Sequence, residues 1–577
     1  MSMSLAPRAR SVRLRRASLL LACCISAALP HSLLPADGPA DNVASKVRPI
    51  PPVGIEVPAA VRDELLAGAK QLEARVAGLT DADKADTAEI LVLSRAVRIA
   101  AEDGIFYNDK EFDQARGLLK LGNERVDALA AGKRGSALIG LAAAPSDKPQ
   151  LLVGGFRSHI DGSIQPYGLV IPAGVDFSKN EPLRLDVWLH GRGENVSEVA
   201  FLNQRLKSVG EIAPEKTIVL HPYGRYCNAF KFAGEIDVLE AIEHVKSRFK
   251  IDNDRTNIRG FSMGGAGCWQ MAVHYPQVWM AATPGAGFSE TTEFLRVFQR
   301  EEFKPTPYQK ALLHWYDCPD WTNNLRHLPT VAYSGEIDQQ KQAADVMAAA
   351  FKDRGMELKH IIGPQTAHKI HPDSKVEIER FLSDTAIAGR PKLPLKIDLT
   401  TYTLRYHRQA WLSIDGLEEH WREARVQAEL QPPSTIVLKT SNITALTVKL
   451  PADQKVMHVD QSLTVRLNDQ TISIQASSPG KESIHLIVEN GAWKASDEVT
   501  RQVSEETTWT TRADRRCVYG RLCVRRTGCE VELTCNGPGR QVARRRVYSC
   551  QDRVASPVPR RHHRSATRPN YRSRPAR

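Results

Sequence analysis

Gly260-Phe261-Ser262-Met263-Gly264-Gly265 is the stretch whose reading decides the fold. It is a G-x-S-x-G pentapeptide with one further glycine. Arg255-Thr256-Asn257-Ile258-Arg259 precedes it as a short β-prone run. Gly265, Ala266 and Gly267 follow, and then Cys268 to Val273, which suits a helix. Such a strand–turn–helix can hold a serine on a strained turn with its Oγ projecting. The glycines let strand and helix approach, because no β-carbon stands between them. Taken alone, the pentapeptide is equally a glycine-rich turn with an idle serine. The flanking pattern and the partners described next favour Ser262 as a nucleophile.

A serine nucleophile on such a turn is followed in the chain by an acid and then a histidine. Pro329 to Ser334 is a short β-like run that ends in Gly335-Glu336-Ile337-Asp338. Asp338 is the expected acid, with Glu336 in reserve two residues earlier. A helical stretch from Gln340 to Arg354 and a strand from Leu358 to Ile362 come next. They lead into the loop Gly363-Pro364-Gln365-Thr366-Ala367-His368. Order and strand-end placement favour His368 as the base over His360 and His371. The alternating run Leu183 to Leu189 leads into His190-Gly191-Arg192-Gly193. Glycines after a strand let backbone N–H groups face a site. Two such donors each stabilise a developing oxyanion by about 3–4 kcal/mol. The N–H of Met263 is one expected donor, and that of Arg192 or Gly193 the other.

On these motifs, and on Ile251-Asp252-Asn253-Asp254-Arg255 before the serine strand, residues 145–390 resemble an α/β-hydrolase catalytic domain. The segment is most similar to the prolyl oligopeptidase family and to polyhydroxybutyrate depolymerase or feruloyl esterase-like enzymes. The resemblance implies an α/β doubly wound sheet and hydrolysis through an acyl-enzyme on Ser262. It covers less than half of the chain, and its motifs do not separate peptidases from esterases. Full prolyl oligopeptidases would carry a β-propeller before the catalytic domain, and no propeller repeat is present here.

Residues 1–38 read as a secretory signal peptide. Five arginines without an acid precede the short apolar run Ser18 to Leu29. Leu20-Leu21-Ala22-Cys23 also resembles a lipoprotein box, with lipidation at Cys23 as the minority reading. Residues 45–135 show apolar spacing of three and four and read as a helical N-terminal domain. Residues 287–328 hold Phe288, Phe294, Phe298, Trp315, Tyr316 and Trp321. This insertion either caps the site, with Trp315 against substrate, or packs on its own domain. Tyr223 and Arg225 end another strand near the site. Arg225 either meets a substrate carboxylate or pairs with Glu235 or Asp237. Residues 395–500 carry short strands between turn residues and read as a β-rich accessory domain.

The final segment, 506–577, reads as an Arg-rich disordered tail. From Arg512 it holds eighteen arginines, no lysine and four acids, a net of +14, whereas the whole chain is +12. The basic pI of 9.2 therefore says nothing about the body. Such a tail is either a nucleic-acid or anionic-polymer arm or a shifted reading frame of GC-rich DNA, which produces arginine without lysine. The frameshift is the preferred reading, and no nucleic-acid partner is expected despite the charge. No metal-ligand spacing appears, and no metal or cofactor is expected. No segment after the leader is apolar enough to span a membrane. Cys227, Cys268 and Cys318 allow at most one disulfide in the body. The expectation is a secreted or envelope-located serine hydrolase with an ester or peptide substrate. The rival class is an inactive hydrolase-fold binding or scaffolding protein of the cell envelope.

Overall fold

The computed structural model describes residues 49–79, 86–451, 454–458, 462–475 and 483–496, and the strand pair 524–527 and 530–533. The leader with Cys23 lies outside the described residues. So does the basic tail, apart from that antiparallel pair, Val524–Thr527 with Glu530–Leu533.

The central sheet has eight strands: β1 (Gln150–Arg157), β2 (Ile164–Ile171), β3 (Leu183–Leu189), β4 (Thr217–Pro222), β5 (Ile251–Phe261), β6 (Ala281–Gly285), β7 (Val331–Gly335) and β8 (Lys359–Gly363). Their spatial order is β1-β2-β4-β3-β5-β6-β7-β8. β2 runs antiparallel to both its neighbours, and from β4 to β8 the strands are parallel. The crossovers turn back between β3 and β5. The crevice at the carboxyl ends of those two strands is the expected ligand position in an open α/β sheet. The fold is an α/β-hydrolase doubly wound sheet with additional β-sheets at its C-terminal side.

The alternation in β3 suggests one wet face, yet all seven of its residues are buried. The polar alternates form an internal ion network instead. Asp186 accepts from Arg184 Nε at 2.8 Å, Arg259 Nη1 at 2.9 Å and Asn257 Nδ2 at 2.7 Å. Burial works against the charge on Asp186, but the two guanidinium groups outweigh it and hold its pKa down. Arg259 also binds Glu379 at 2.5 Å.

The N-terminal helices are α1 (Ala59–Ala77), α2 (Ala88–Asp103), α3 (Lys110–Ala130) and the short α4 (Gly135–Leu138). They enclose a small core of their own, Leu72, Val76, Ile90, Val126, Leu129 and Leu138, and share a second with the sheet. Leu65, Val92 and Phe112 share one apolar cluster with Val153 of β1 and Ile164 of β2. Glu89 of α2 is buried and accepts from Gly155 N at 2.9 Å and Tyr167 Oη at 3.1 Å, with His244 Nε2 2.8 Å away. A carboxylate taken out of water is tolerated only when partnered in this way. The helical segment is thereby locked onto the edge of the sheet.

The remaining helices of the catalytic body are α5 (Glu198–Lys207), α6 (Ala233–Arg248), α7 (Met263–His274), α8 (Thr292–Phe294), α9 (Pro307–Leu313), α10 (Lys341–Asp353) and α11 (Pro372–Ala388). Beyond α11 come ten strands from Lys396 to Ser496, in two five-stranded sheets around their own apolar core. Strand Ala424–Gln431 shows the strict alternation of buried and open residues of such a packed pair.

The β-rich module is fastened to the body by buried polar contacts. Asn324 Nδ2 donates to Thr400 O at 3.0 Å, and Thr400 N donates to Asn324 Oδ1 at 2.7 Å. Tyr406 Oη donates to the fully buried Glu235 at 2.9 Å, and Arg405 lies 3.7 Å from the same carboxylate. Burial opposes ionisation of Glu235, and burial also pushes His274 down toward its neutral form. His274, then Arg405 and the Tyr275 hydroxyl, offset the burial of Glu235, and the carboxyl sits below its ordinary range. A lowered folded-state pKa stabilises fully above the unfolded value of about 4.3 and is lost as pH falls through the folded value. Urea unfolding from pH 6 to pH 3 should show a stability loss on acidification that Glu235→Gln makes shallower. An unchanged slope in the variant refutes this role.

Candidate active site

Ser262 stands between β5 and α7 with φ 59° and ψ −123°. A β-carbon in this region is strained, and such strain collects at functional turns. Backbone bonds hold it there: Ser262 N donates to Gly285 O at 2.9 Å, and Ala266 N donates to Ser262 O at 3.1 Å. The flanking glycines are sterically required. A β-carbon on Gly264 would lie 1.9 Å from the Leu189 carbonyl oxygen, and one on Gly260 would lie 2.2 Å from the Gly264 oxygen. Gly264→Ala should therefore cost at least about 3 kcal/mol or abolish folding. Gly117→Ala, inside α3 with open space around it, should be neutral or stabilising by up to about 1 kcal/mol. Thermal unfolding of the two variants checks the contrast, and a well-folded Gly264→Ala refutes it.

The loop after β3 reaches the same place, because Leu189 pairs with Gly260 across the sheet. A β-carbon on Gly191 would come within 3.8 Å of Ser262 Cβ, so the loop touches the serine. His190 braces it, with Nδ1 2.8 Å from Gly191 O and Nε2 3.0 Å from Tyr223 O. Burial holds the His190 pKa down. Of the two loop donors expected from sequence, Gly193 N–H is engaged elsewhere: it donates to Cys227 Sγ at 3.2 Å. That leaves Arg192 N–H, whose side chain is turned to Glu194. Met263 opens α7, and the first N–H of a helix has no carbonyl to bond within it.

Asp338 and His368 meet. His368 Nδ1 lies 2.8 Å from Asp338 Oδ2, and the carboxylate is buried. Gln340 N donates to the other oxygen, Oδ1, at 2.9 Å. This leaves Nε2 of His368 free to take a proton. The His368 ring packs 4.8 Å from that of Phe261, the residue before Ser262. Among the described residues no hydrogen bond joins Ser262 to His368, a contact that commonly tightens only with substrate bound.

The competing groups have other partners. Glu336 accepts from Gln365 N at 2.7 Å and so braces the histidine loop. His360 Nε2 is 3.0 Å from Ser334 Oγ. His371 caps α11 by accepting from Asp373 N.

The expected substrate contacts fare differently. Arg225 is bound by Asp237 at 2.8 Å and Asp161 at 2.7 Å, which uses up its charge internally. Tyr223 is buried and donates to Val196 O at 2.9 Å. Trp315 Nε1 donates to Tyr406 Oη at 3.0 Å and so ties the insertion to the β-rich module. Trp321 is fully buried, whereas Phe288, Phe294 and Phe298 pack in a row. The insertion thus divides between module docking and the site rim. Gly287, next to Phe288, lies so close to the serine that its β-carbon would come 2.4 Å from Ser262 O.

Cys227, Cys268 and Cys318 are all free thiols. Burial pushes the Cys227 thiol up, so it stays protonated beside the loop. Among the described residues no group of three or more His, Cys, Asp or Glu side chains is placed to share a metal ion.

Residues 234–384 match the model of the prolyl oligopeptidase family. No curated protein matches the chain. Among solved structures, the chain is similar to a Bacteroides ovatus protein described as a dipeptidyl aminopeptidase IV. They share 15% identity and a TM-score of 0.33, over 42% of this chain and 36% of the other. A ferulic acid esterase aligns with 15% identity and a TM-score of 0.32, over 42% of this chain and all of its own. A puromycin-hydrolyzing peptidase of Mycobacterium tuberculosis aligns with 17% identity and a TM-score of 0.31, over 41% and 39%. The chain thus spans little more than a third of the length of the Bacteroides protein. The strand order, the serine turn and the family match over residues 234–384 place this chain among the serine hydrolases of the α/β-hydrolase superfamily.

Proposed function

We propose that the protein is a secreted serine hydrolase that cleaves a carboxylic ester through an acyl-enzyme on Ser262. The observation that carries the reading is the 2.8 Å pair of His368 Nδ1 with the buried Asp338, beside a serine held at positive φ. In this reading His368 Nε2 removes the proton from Ser262 Oγ as the oxygen attacks the carbonyl carbon. The N–H groups of Met263 and Arg192 hold the resulting oxyanion. His368 then returns the proton to the leaving group, and water repeats the sequence to release the acid. Asp338 keeps the imidazole in the required tautomer and stabilises its charged form.

The ester reading is preferred to the peptide reading on chemical grounds. A peptidase that anchors a free amino terminus needs acids exposed at the site. Glu235 is buried against Tyr406 and Arg405, and Asp237 and Asp161 are bound to Arg225. Parallel assays on p-nitrophenyl acetate, a feruloyl ester and a Gly-Pro anilide should show turnover of one or both esters. Turnover of the anilide alone overturns the ester reading and keeps the serine chemistry.

Export rests on the basic, then apolar, first thirty residues. Among the described residues no helix is long and apolar enough to cross a membrane. Recovery of the chain from the cytoplasm with its leader intact overturns export.

A further inference from the structure

A cavity of about 460 Å³ lies against the loop His190–Gly193. Gly191 to Gly193 form part of its wall, and so does Phe261, the ring that packs on His368. The cavity therefore borders both the loop that touches Ser262 and the residue that precedes it. Arg205 of α5, His221 of β4 and Glu211 also line it.

Arg205 is only 8% exposed. The other buried arginines of this body have evident partners. Arg184 and Arg259 bind Asp186, and Arg125 donates to the carbonyls of Glu89 and Val153. Arg205 has no such acceptor. Its Nη1 lies 3.2 Å from His221 Nδ1, and its Nε has no hydrogen-bond partner among the described residues. The carboxylate that acts on it is that of the exposed Glu211, through space rather than by a hydrogen bond. Arg192, on the same wall, is already paired with Glu194.

Burial, and then the Arg205 charge, hold His221 well below its ordinary pKa, so the imidazole adds no second positive charge. A guanidinium keeps its proton in these surroundings, and a buried cation without a hydrogen-bonded counter-ion is costly.

Space for this side chain is built into the backbone. A β-carbon on Gly168 would lie 2.6 Å from Arg205 Cγ, and one on Gly210 would lie 2.8 Å from Nη1. Gly210 also has φ +78°, which a side chain rarely adopts.

We propose that this cavity is a carboxylate subsite: Arg205 binds a carboxylate of the substrate while the scissile carbonyl lies at Ser262. The inference rests on the serine chemistry proposed above and names its substrate class, esters that bear a free carboxylate. A planar guanidinium that no carboxylate or carbonyl of the described residues hydrogen-bonds suits a carboxylate better than a neutral group. β3 alone separates β4 from β5. At about 4.8 Å per strand, His221 and the end of β5 stand roughly 10 Å apart across the sheet. A short aliphatic or aromatic spacer bridges such a distance.

The test uses the full chain and two substrate arms. One places the carboxylate on the acyl side, as p-nitrophenyl monoesters of succinic to suberic acid against neutral esters of equal length. The other places it on the leaving side, as acetyl esters of hydroxybenzoates against those of hydroxybenzamides. In one arm kcat/KM should favour the acid by about tenfold or more. Arg205→Gln should collapse that ratio toward one, mainly through KM. A purely structural role for Arg205 would lower both substrates alike and leave the ratio unchanged, which overturns the subsite. Equal rates in both arms of the unmodified protein overturn it as well, whatever the variant does.

Fluorophosphonate labelling of the same samples separates the two readings. Labelling without acid preference removes the subsite and keeps the serine chemistry. Absence of labelling removes the serine chemistry, and calorimetric titration with glutarate then decides the subsite alone. Glutarate binding that glutaramide does not reproduce, and that Arg205→Gln weakens about tenfold or more, supports it. Absence of glutarate binding overturns it.

Discussion

Ser262→Ala should lower kcat for ester hydrolysis by about 10⁶-fold and abolish labelling by a fluorophosphonate. The alanine variant has no oxygen to form the acyl-enzyme, while the donors proposed at Met263 and Arg192 persist. A residue of activity above the uncatalysed rate should therefore remain, on the order of 10³-fold. The loss should occur in a folded protein. Alanine keeps the β-carbon at φ 59°, so the backbone strain of the turn is unchanged and the unfolding midpoint should move little. Ser262→Gly removes that β-carbon and should be at least as stable as the parent, although equally inactive. Mass-spectrometric mapping of the label checks the site. Labelling that survives Ser262→Ala would place the nucleophile elsewhere and sink the assignment. Probe silence in folded parent protein would favour the rival class, a hydrolase-fold binding protein.

The second large effect concerns the acid. Asp338→Asn should cost about 10⁴-fold in kcat, because an amide facing Nδ1 stabilises the wrong tautomer of His368. Glu336→Gln should cost far less, within about tenfold. Its carboxylate is exposed and accepts from Gln365 N and Nε2, so it supports the loop and does not touch the imidazole. The amide that replaces it can still accept through its oxygen. Steady-state kinetics on one p-nitrophenyl ester decides between the two. A dead Glu336→Gln beside an active Asp338→Asn would move the acid by two residues and leave the fold untouched.

The difference between these two carboxylates shows where sequence reading stops. Both stand on one turn after β7, and their spacing alone leaves both open. Only the return of the chain at β8 sets His368 beside Asp338 and Gln365 beside Glu336. The same holds for the loop after β3. Arg192 and Gly193 are equivalent on paper, and Cys227, thirty-four residues later, accepts the N–H of one of them. Arg225 has a carboxylate-binding look in sequence, yet Asp161 and Asp237 neutralise it from two other elements. Arg205 carried no signal at all. Its significance comes from the absence of a hydrogen-bonded anion in a cavity formed by β4, α5 and the loop, where Glu211 acts only through space. The glycines at 168 and 210 were the trace that could have marked it, since both clear space for its side chain.

The sequence by itself determined the features that contiguous residues build. These are the strand–turn–helix around Ser262, the succession of strands and helices of a doubly wound sheet, and the alternating strands beyond residue 395. Each is legible because its cause is local: missing β-carbons at a tight turn, and periods of two or of about four in apolar residues. Tertiary structure decided the burial of both faces of β3, with Asp186 held charged by Arg184 and Arg259. It also decided the merging of the N-terminal helices with the sheet through Glu89, and the anchoring of the β-rich module through Glu235 and Asn324. These depend on partners far apart in the chain, and whether a buried charge is balanced or left waiting for a ligand is settled only when the fold brings its surroundings together.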